Sequence, residues 1–254
     1  MVDYDCGARK LRPWCHAHRI TILHLTPHDY LVFLTDLLHA GYLYATANHT
    51  RCYLAMLHML NQSPSPTDSL LVRKALTGYQ RITSAWCIRR RAITFPLLCK
   101  IRSYACTLFH DEMLLEVQSY LDACYGGYLR RHEAWDLNPK DLSPDCRGTR
   151  AFIASSKTDP LHYGAEALIF PDNYIKQLRV LRQHDARLWH HITPRIMLQL
   201  IRDADLGPGP YTIHSLRHGH ATDAFRGGMT LPAIMTAGRW RSLSALQLYL
   251  HRSD

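Results

Sequence analysis

Apolar residues in the first third of the chain recur at helical spacing. Thr26-Pro27-His28-Asp29 offers a capping hydroxyl, a proline at the first helical position and an acid in the first turn. Leu31, Leu34, Leu37 and Leu38 then share one face, and Gly41 ends the run. Thr46 is expected to cap a second helix with the stripe Tyr53, Leu54, Leu57 and Leu60; Asn61-Gln-Ser-Pro-Ser-Pro66 breaks it, and Asp68 is expected to cap a third through Leu71 and Leu76 toward Tyr79. With a helical stub over 11–20, residues 1–82 read as a small all-α module. Residues 83–95 read as a basic linker with little amphipathic period, carrying Arg89, Arg90 and Arg91. Such a run is either a solvated segment or a strap along a phosphate backbone.

Residues 96–254 show a mixed pattern. A helix is expected from Asp111 through Leu114, Leu115, Val117 and Leu121 to Gly126-Gly127, and another from about Tyr128. Two β-prone runs, 150–154 and 166–170, flank Ser155-Ser-Lys-Thr-Asp-Pro160 and predict a hairpin with a polar loop. Helices are expected over 172–188, 194–205, 213–226, 231–237 and 243–250. The fold class is therefore mainly α with a small antiparallel sheet, and no internal repeat is visible.

The 254 residues are 47% apolar and 20% charged, enough for a real core, so disorder and rod-like assemblies are excluded. Thirty Lys and Arg against 21 Asp and Glu give a formal charge of +9, which favours a polyanionic partner through counterion release. No apolar run approaches the ~18 residues of a membrane span, and the N-terminus has no basic stretch followed by an apolar one. A soluble intracellular protein is expected, nuclear if the host is eukaryotic and otherwise in the cytoplasm or nucleoid. The eight cysteines form no Cys-x-x-Cys pair and are expected to be small buried hydrophobes. The seventeen histidines lack zinc-site spacing, so no metal and no cofactor is expected.

The candidate chemistry lies in the second half: Arg130-Arg131-His132-Glu133, Lys157 at the hairpin tip, His214-Ser-Leu-Arg217 at a helix opening, Gly238-Arg239-Trp240, and Tyr249. A phosphodiester under attack gains negative charge on its non-bridging oxygens, and the two permanently charged guanidinium forks of Arg130 and Arg217 suit those oxygens. A tyrosine hydroxyl, only about 0.1% ionised at neutral pH, needs a base or cationic surroundings to act as nucleophile. His214 can take its proton, and Lys157 can protonate a departing 5′-hydroxyl.

In this order, Arg130-x-x-Glu133, Ser156-Lys157-Thr158-Asp159, His214-x-x-Arg217, Gly238-Arg-Trp240 and Tyr249 resemble the tyrosine recombinase (phage integrase) signature. The helical first third resembles the SAM-like core-binding domain of those enzymes, so the resemblance covers nearly the whole chain. The Trp14-Cys-His-Ala-His-Arg19 start and the Asp68-Ser-Leu-Leu-Val-Arg73 segment further resemble integrases of eukaryotic DIRS-type retroelements. The resemblance implies a C-shaped clamp on double-stranded DNA, built from the core-binding domain and a mixed α/β catalytic domain and assembling as a tetramer. It implies Arg130 and Arg217 as catalytic arginines, Lys157 as general acid and His214 as the histidine of its box. Trp240 stands at a position that is His or Trp in the family, Tyr249 is the nucleophile on a mobile C-terminal helix, and Glu133 is a supporting group. Arg89, Arg90, Arg91 and Arg131 are expected on DNA. His218, His220, Trp14, Trp86, Trp135 and Trp189 are expected in surface or packing roles.

Two other readings stand beside this one. A catalytically inactive relative would bind DNA only, although every active-site position holds a competent residue. Arg217-His218-Gly219 also matches the box of histidine phosphatases, where the histidine attacks phosphate; that box follows a first β-strand, whereas here it falls on a helical pattern late in the chain. Only five residues follow Tyr249, and the first core-binding helix looks short, so both ends are expected to be cut close.

Overall fold

The computed structural model describes residues 5–85, 91–156, 159, 161 and 163–250, and the chain divides into two compact units, Met1–Ile88 and Arg89–Asp254. Among the described residues the first unit has four α-helices: α1 (Asp5–Ala17), α2 (Pro27–His39), α3 (Tyr44–Leu60) and α4 (Leu70–Ser84). α2 starts as its sequence dictates, with Thr26 Oγ accepting from Asp29 N–H at 3.2 Å and the Asp29 carboxylate accepting from Thr26 N–H at 2.9 Å. α3 starts two residues ahead of Thr46, because its first N–H, on Tyr44, donates to Thr83 Oγ of α4 at 3.2 Å and needs no local cap. Asp68 closes a short 3₁₀ turn, and α4 begins at Leu70 after Ser69. Leu71 points outward while Val72, Leu76 and Tyr79 face the core with Leu11, Phe33, Leu34, Leu37 and Leu54. Tyr30, fully buried, meets Thr50 through its hydroxyl at 3.0 Å.

The second unit contains α5 (Phe95–Leu108), α6 (Asp111–Gly126), α7 (Arg131–Trp135), strands β1 (Leu142–Asp145), β2 (Gly148–Ile153) and β3 (Ala165–Ile169), then α8 (Asn173–Leu181), α9 (Pro194–Asp203), α10 (His214–Arg226), α11 (Leu231–Gly238) and α12 (Leu243–Gln247). The sheet is antiparallel in the order β1-β2-β3, with Ala151 opposite Ala167 and Arg150 opposite Leu168. Ala151, Ile153, Ala167 and Ile169 face inward, as the alternating pattern requires. α5 and β1 are additions to the expected elements, and α8 stops seven residues short of the expected end at 188.

α6 runs through the middle of this unit, buried on every side from Glu116 to Gly126. A helix so placed can keep a charged side chain only if it is paired, and both acids of this stretch are. Asp122 accepts from the Tyr174 and Ile175 N–H groups at the start of α8 and pairs with Arg102. Glu116 accepts from the backbone N–H groups of His190, His191 and Ile192 at 2.8–3.2 Å and pairs with Arg182. Burial alone would raise the Glu116 carboxyl, but these donors hold it below its ordinary value. They also tie down the loop between α8 and α9, whose first part, 182–188, the sequence pattern had suggested as continuing helix.

Trp189 donates its indole N–H to Ala134 O at 2.9 Å and packs edge-on to Tyr120, and Trp135 lies against the same ring. Trp14 stacks on His18; Trp86 lies outside the described residues. The cysteines depart from expectation: Cys15 and Cys124 are buried, Cys52 is half-buried, and Cys99, Cys106 and Cys146 are exposed. Among the described residues no helix is long and apolar enough to cross a membrane, and no three potential metal ligands cluster.

Candidate active site

The chain leaves α6 through Tyr128, which takes a left-handed backbone conformation (φ 50°), and Arg130 becomes the extended N-cap residue of α7. Glu133, third in that helix, caps it by accepting from Arg130 N–H at 2.9 Å and also pairs with the Arg130 guanidinium. Local capping thus sets the first arginine beside a carboxylate. Glu133 is 2% exposed and has two further donors, Ser156 Oγ at 2.8 Å from the hairpin tip and Arg239 Nη2 at 3.0 Å. Arg130 Nη1 reaches Ser156 Oγ at 2.9 Å. Burial pushes the Glu133 carboxyl up, yet Arg239, the Arg130 N–H and the Arg130 charge outweigh it and hold the group at about 2. Lys157, the next residue along the hairpin, lies outside the described residues.

His214 opens α10 and Arg217 follows one turn later. Arg217 is wholly buried, donating to Tyr128 O and Gly238 O, with the Trp240 ring 4.4 Å from its guanidinium carbon. Burial, then the like charges of Arg130 and Arg239, push Arg217 down to about 9, which leaves it cationic at neutral pH. Its Nε–H has no hydrogen-bond partner among the described residues, and neither has the indole N–H of Trp240, itself 8% exposed. α11 ends at Gly238, where an added Cβ would lie 1.7 Å from the Trp240 ring. Only glycine lets that indole fold back beneath Arg217. Arg239 then takes the left-handed conformation (φ 58°), a cost on the order of 1 kcal/mol for a side-chain-bearing residue.

Tyr249 lies in the turn just past α12, which closes at Gln247 rather than continuing to 250 as expected. The Tyr249 N–H returns to Leu246 O at 2.8 Å. Its hydroxyl is 2.9 Å from His214 Nε2, and its ring stands edge-on to Trp240 with centroids 5.0 Å apart. His218 stacks on the same ring at 4.3 Å and 21°. Packing was expected of His218; that it packs on Tyr249 was not. His220 is sandwiched against Tyr125 and Tyr128 and bonds Tyr125 O at 2.6 Å. Arg131 and His132 are exposed, and together with Arg130, Leu198, Thr212, Ile213 and His214 they line a cavity of about 410 Å³. Arg91 is exposed; Arg89 and Arg90 lie outside the described residues.

The fold therefore gathers Arg130, Glu133, His214, Arg217, Trp240 and Tyr249 from four separate stretches of chain into one basin. Among the described residues three guanidiniums, Arg130, Arg217 and Arg239, face one carboxylate there, leaving two net positive charges from these four groups. Such a basin suits an anion whose charge grows during reaction. Ser156 and Arg239 stand inside the quoted motifs, but the sequence assigned them no role, since their roles arise from contact with Glu133, 23 and 106 residues away. The Arg217-His218-Gly219 triplet has a packing explanation as well. A Cβ on Gly219 would sit 1.6 Å from Ile93 O, so the glycine lets α10 press on the chain entering α5.

No family model matches the chain. The integrase/recombinase xerD homolog of Selenomonas ruminantium is 23% identical over 290 aligned positions, which cover 99% of this chain and 81% of that protein. Among solved structures, the XerH site-specific recombinase bound to difH substrate, a pre-cleavage complex, superposes with a TM-score of 0.68 at 15% identity, covering 99% of this chain and 75% of that one. The Tn1549 transposon integrase in complex with transposon right end DNA also gives 0.68, at 14% identity and covering 100% and 90%. A lambda integrase dimer bound to a core site gives 0.59 at 12% identity, covering 89% and 64%. A mainly helical chain with a three-stranded antiparallel sheet, this protein has the fold of the tyrosine recombinases and integrases.

Proposed function

We propose that the protein is a site-specific DNA recombinase or integrase, a metal-independent strand transferase that cleaves and rejoins duplex DNA through a 3′-phosphotyrosyl intermediate. The observation that carries this reading is the 2.9 Å contact between Tyr249 Oη and His214 Nε2 beside the buried guanidinium of Arg217. With its proton on Nδ1, His214 accepts the phenolic proton through Nε2 as the tyrosine oxygen bonds to phosphorus. The P–O5′ bond breaks, and Lys157 gives the leaving 5′-oxygen its proton. Arg130 and Arg217 take the charge building on the non-bridging oxygens, and the Trp240 N–H, which has no partner among the described residues, supplies a further donor. The phosphotyrosyl ester retains the energy of the broken bond, so the reverse attack by a 5′-hydroxyl reseals DNA without a nucleotide cofactor.

On this reading residues 1–82 form the core-binding domain and 96–254 the catalytic one. The 83–95 linker with Arg89–Arg91, and Arg131, lie on backbone phosphates, and several copies assemble on the DNA, as a tetramer when two duplexes are joined. The xerD homolog and the DNA complexes of similar fold support the reading. Incubation with a nicked suicide duplex should give a covalent protein–DNA adduct that Tyr249→Phe abolishes. An adduct that survives in the variant would overturn the nucleophile assignment, and no adduct from the unmodified chain bound to its site would overturn the function.

A further inference from the structure

Arg239 stands out among the basic residues of the basin because three separate features fix it where a cheaper residue would serve the backbone. It holds a left-handed conformation that glycine or asparagine adopts with less strain. Its side chain is 13% exposed although it carries a charge. Its guanidinium is aimed at Glu133, at 3.0 Å, with longer contacts to Tyr128 O at 3.4 Å and Gly127 O at 3.5 Å. Tyr128 O is the same carbonyl that receives Arg217, and the residues on either side of Arg239 both meet Arg217, Gly238 through its carbonyl and Trp240 through its ring.

The charge balance indicates what this arrangement does. Glu133 orients Arg130 and Ser156, but a buried carboxylate beside the phosphate site cancels one of the two catalytic guanidiniums. Among the described residues, Arg130 and Arg217 against Glu133 alone would leave one net positive charge, and with Arg239 the balance is two. The added charge favours the phosphorane, which carries about one more negative charge than the resting phosphodiester. Resting on the strand-transfer reading above, we propose that Arg239 is a positioning residue that neutralises Glu133, so that Glu133 can orient Arg130 without lowering the positive charge offered to the transition state. Arg239 does not touch the phosphate; it acts through the carboxylate.

A double-mutant cycle tests this on the full chain, with adduct formation on a nicked suicide duplex followed in single turnover and duplex affinity measured separately. Arg239→Met should slow adduct formation at least about tenfold with affinity changed less than about threefold, and Arg239→Lys, which keeps the charge, should recover most of the rate. In a Glu133→Gln background the added Arg239→Met should cost less than about threefold, because no carboxylate remains to be neutralised. Circular dichroism and thermal unfolding confirm that each variant is folded at the assay temperature; should Arg239→Met unfold, Arg239→Gln takes its place. Equal losses in the two backgrounds, or no recovery with lysine, would overturn the proposal while leaving the recombinase reading intact. An unmodified chain that binds its duplex and forms no adduct would overturn that reading, and the role of Arg239 with it.

Discussion

Glu133 offers a direct check on the electrostatics of the basin, because its ionisation is coupled to folding. The carboxyl falls from an ordinary 4.5 to about 2 in the folded chain, under Arg239 and Arg130 and against the opposing effect of burial. At about 1.4 kcal/mol per pH unit, that interval is worth about 3 kcal/mol of stability at neutral pH, undiminished by solvent because the group is 2% exposed. A depressed carboxylate stabilises the fold at pH values above its unfolded value and loses that contribution as pH falls through its folded value. The stabilisation should therefore be complete above about pH 5, reduced by about 2 kcal/mol at pH 3, and absent below about pH 2. The perturbation is Glu133→Gln, which removes the titration while keeping the shape. Urea unfolding of both chains from pH 7 to pH 3 isolates the effect in their difference, since every other acid titrates in both. The gap in unfolding free energy should be constant from pH 7 to 5 and narrow by about 2 kcal/mol by pH 3. A gap that stays constant to pH 3 would show that Arg239 and Arg130 do not hold Glu133 ionised, and the assignment of Glu133 as the organiser of Arg130 would fall.

Two further substitutions probe the packing around the second arginine. Trp240→Phe keeps a ring beneath Arg217 and removes the indole N–H, which has no partner among the described residues, so adduct formation should drop about 10- to 100-fold with stability changed by about 1 kcal/mol or less; an unchanged rate would remove the indole from the reaction. Gly219→Ala should lower unfolding free energy by more than about 2 kcal/mol in denaturant titration, since its Cβ has backbone 1.6 Å away, and a silent substitution would contradict the approach of α10 to Ile93.

The parts of the fold that were legible in the sequence are those decided within a few residues. The capping box of α2 and the alternation of β2 and β3 need no distant partner. The start of α3 was not legible because Thr83, far along the chain, supplies the bond that a cap would. β1 was hidden by Pro144, which a strand tolerates only at a sheet edge, where β1 lies. α5 buries Leu98, Ile101 and Ala105 but carries Cys99, Lys100 and Arg102 between them, which blurs its stripe. In the site, the order of Arg130, His214, Arg217, Trp240 and Tyr249 was readable as a linear signature, whereas the roles of Ser156 and Arg239 within their motifs and the stacking of His218 depend on which loops the fold brings to Glu133 and Tyr249.

The hydrogen bond between Tyr249 and His214 joins two groups of one chain, with Arg217 and Trp240 of that chain around them. On the strand-transfer reading each copy thus carries its nucleophile already seated against its own base, and does not wait for a neighbour to lend one. An assembly that must keep some of its copies silent while others cut has then to act by withdrawal: the segment after α12 must be drawn away until Tyr249 leaves His214. Control of timing would therefore fall to whatever grips that turn.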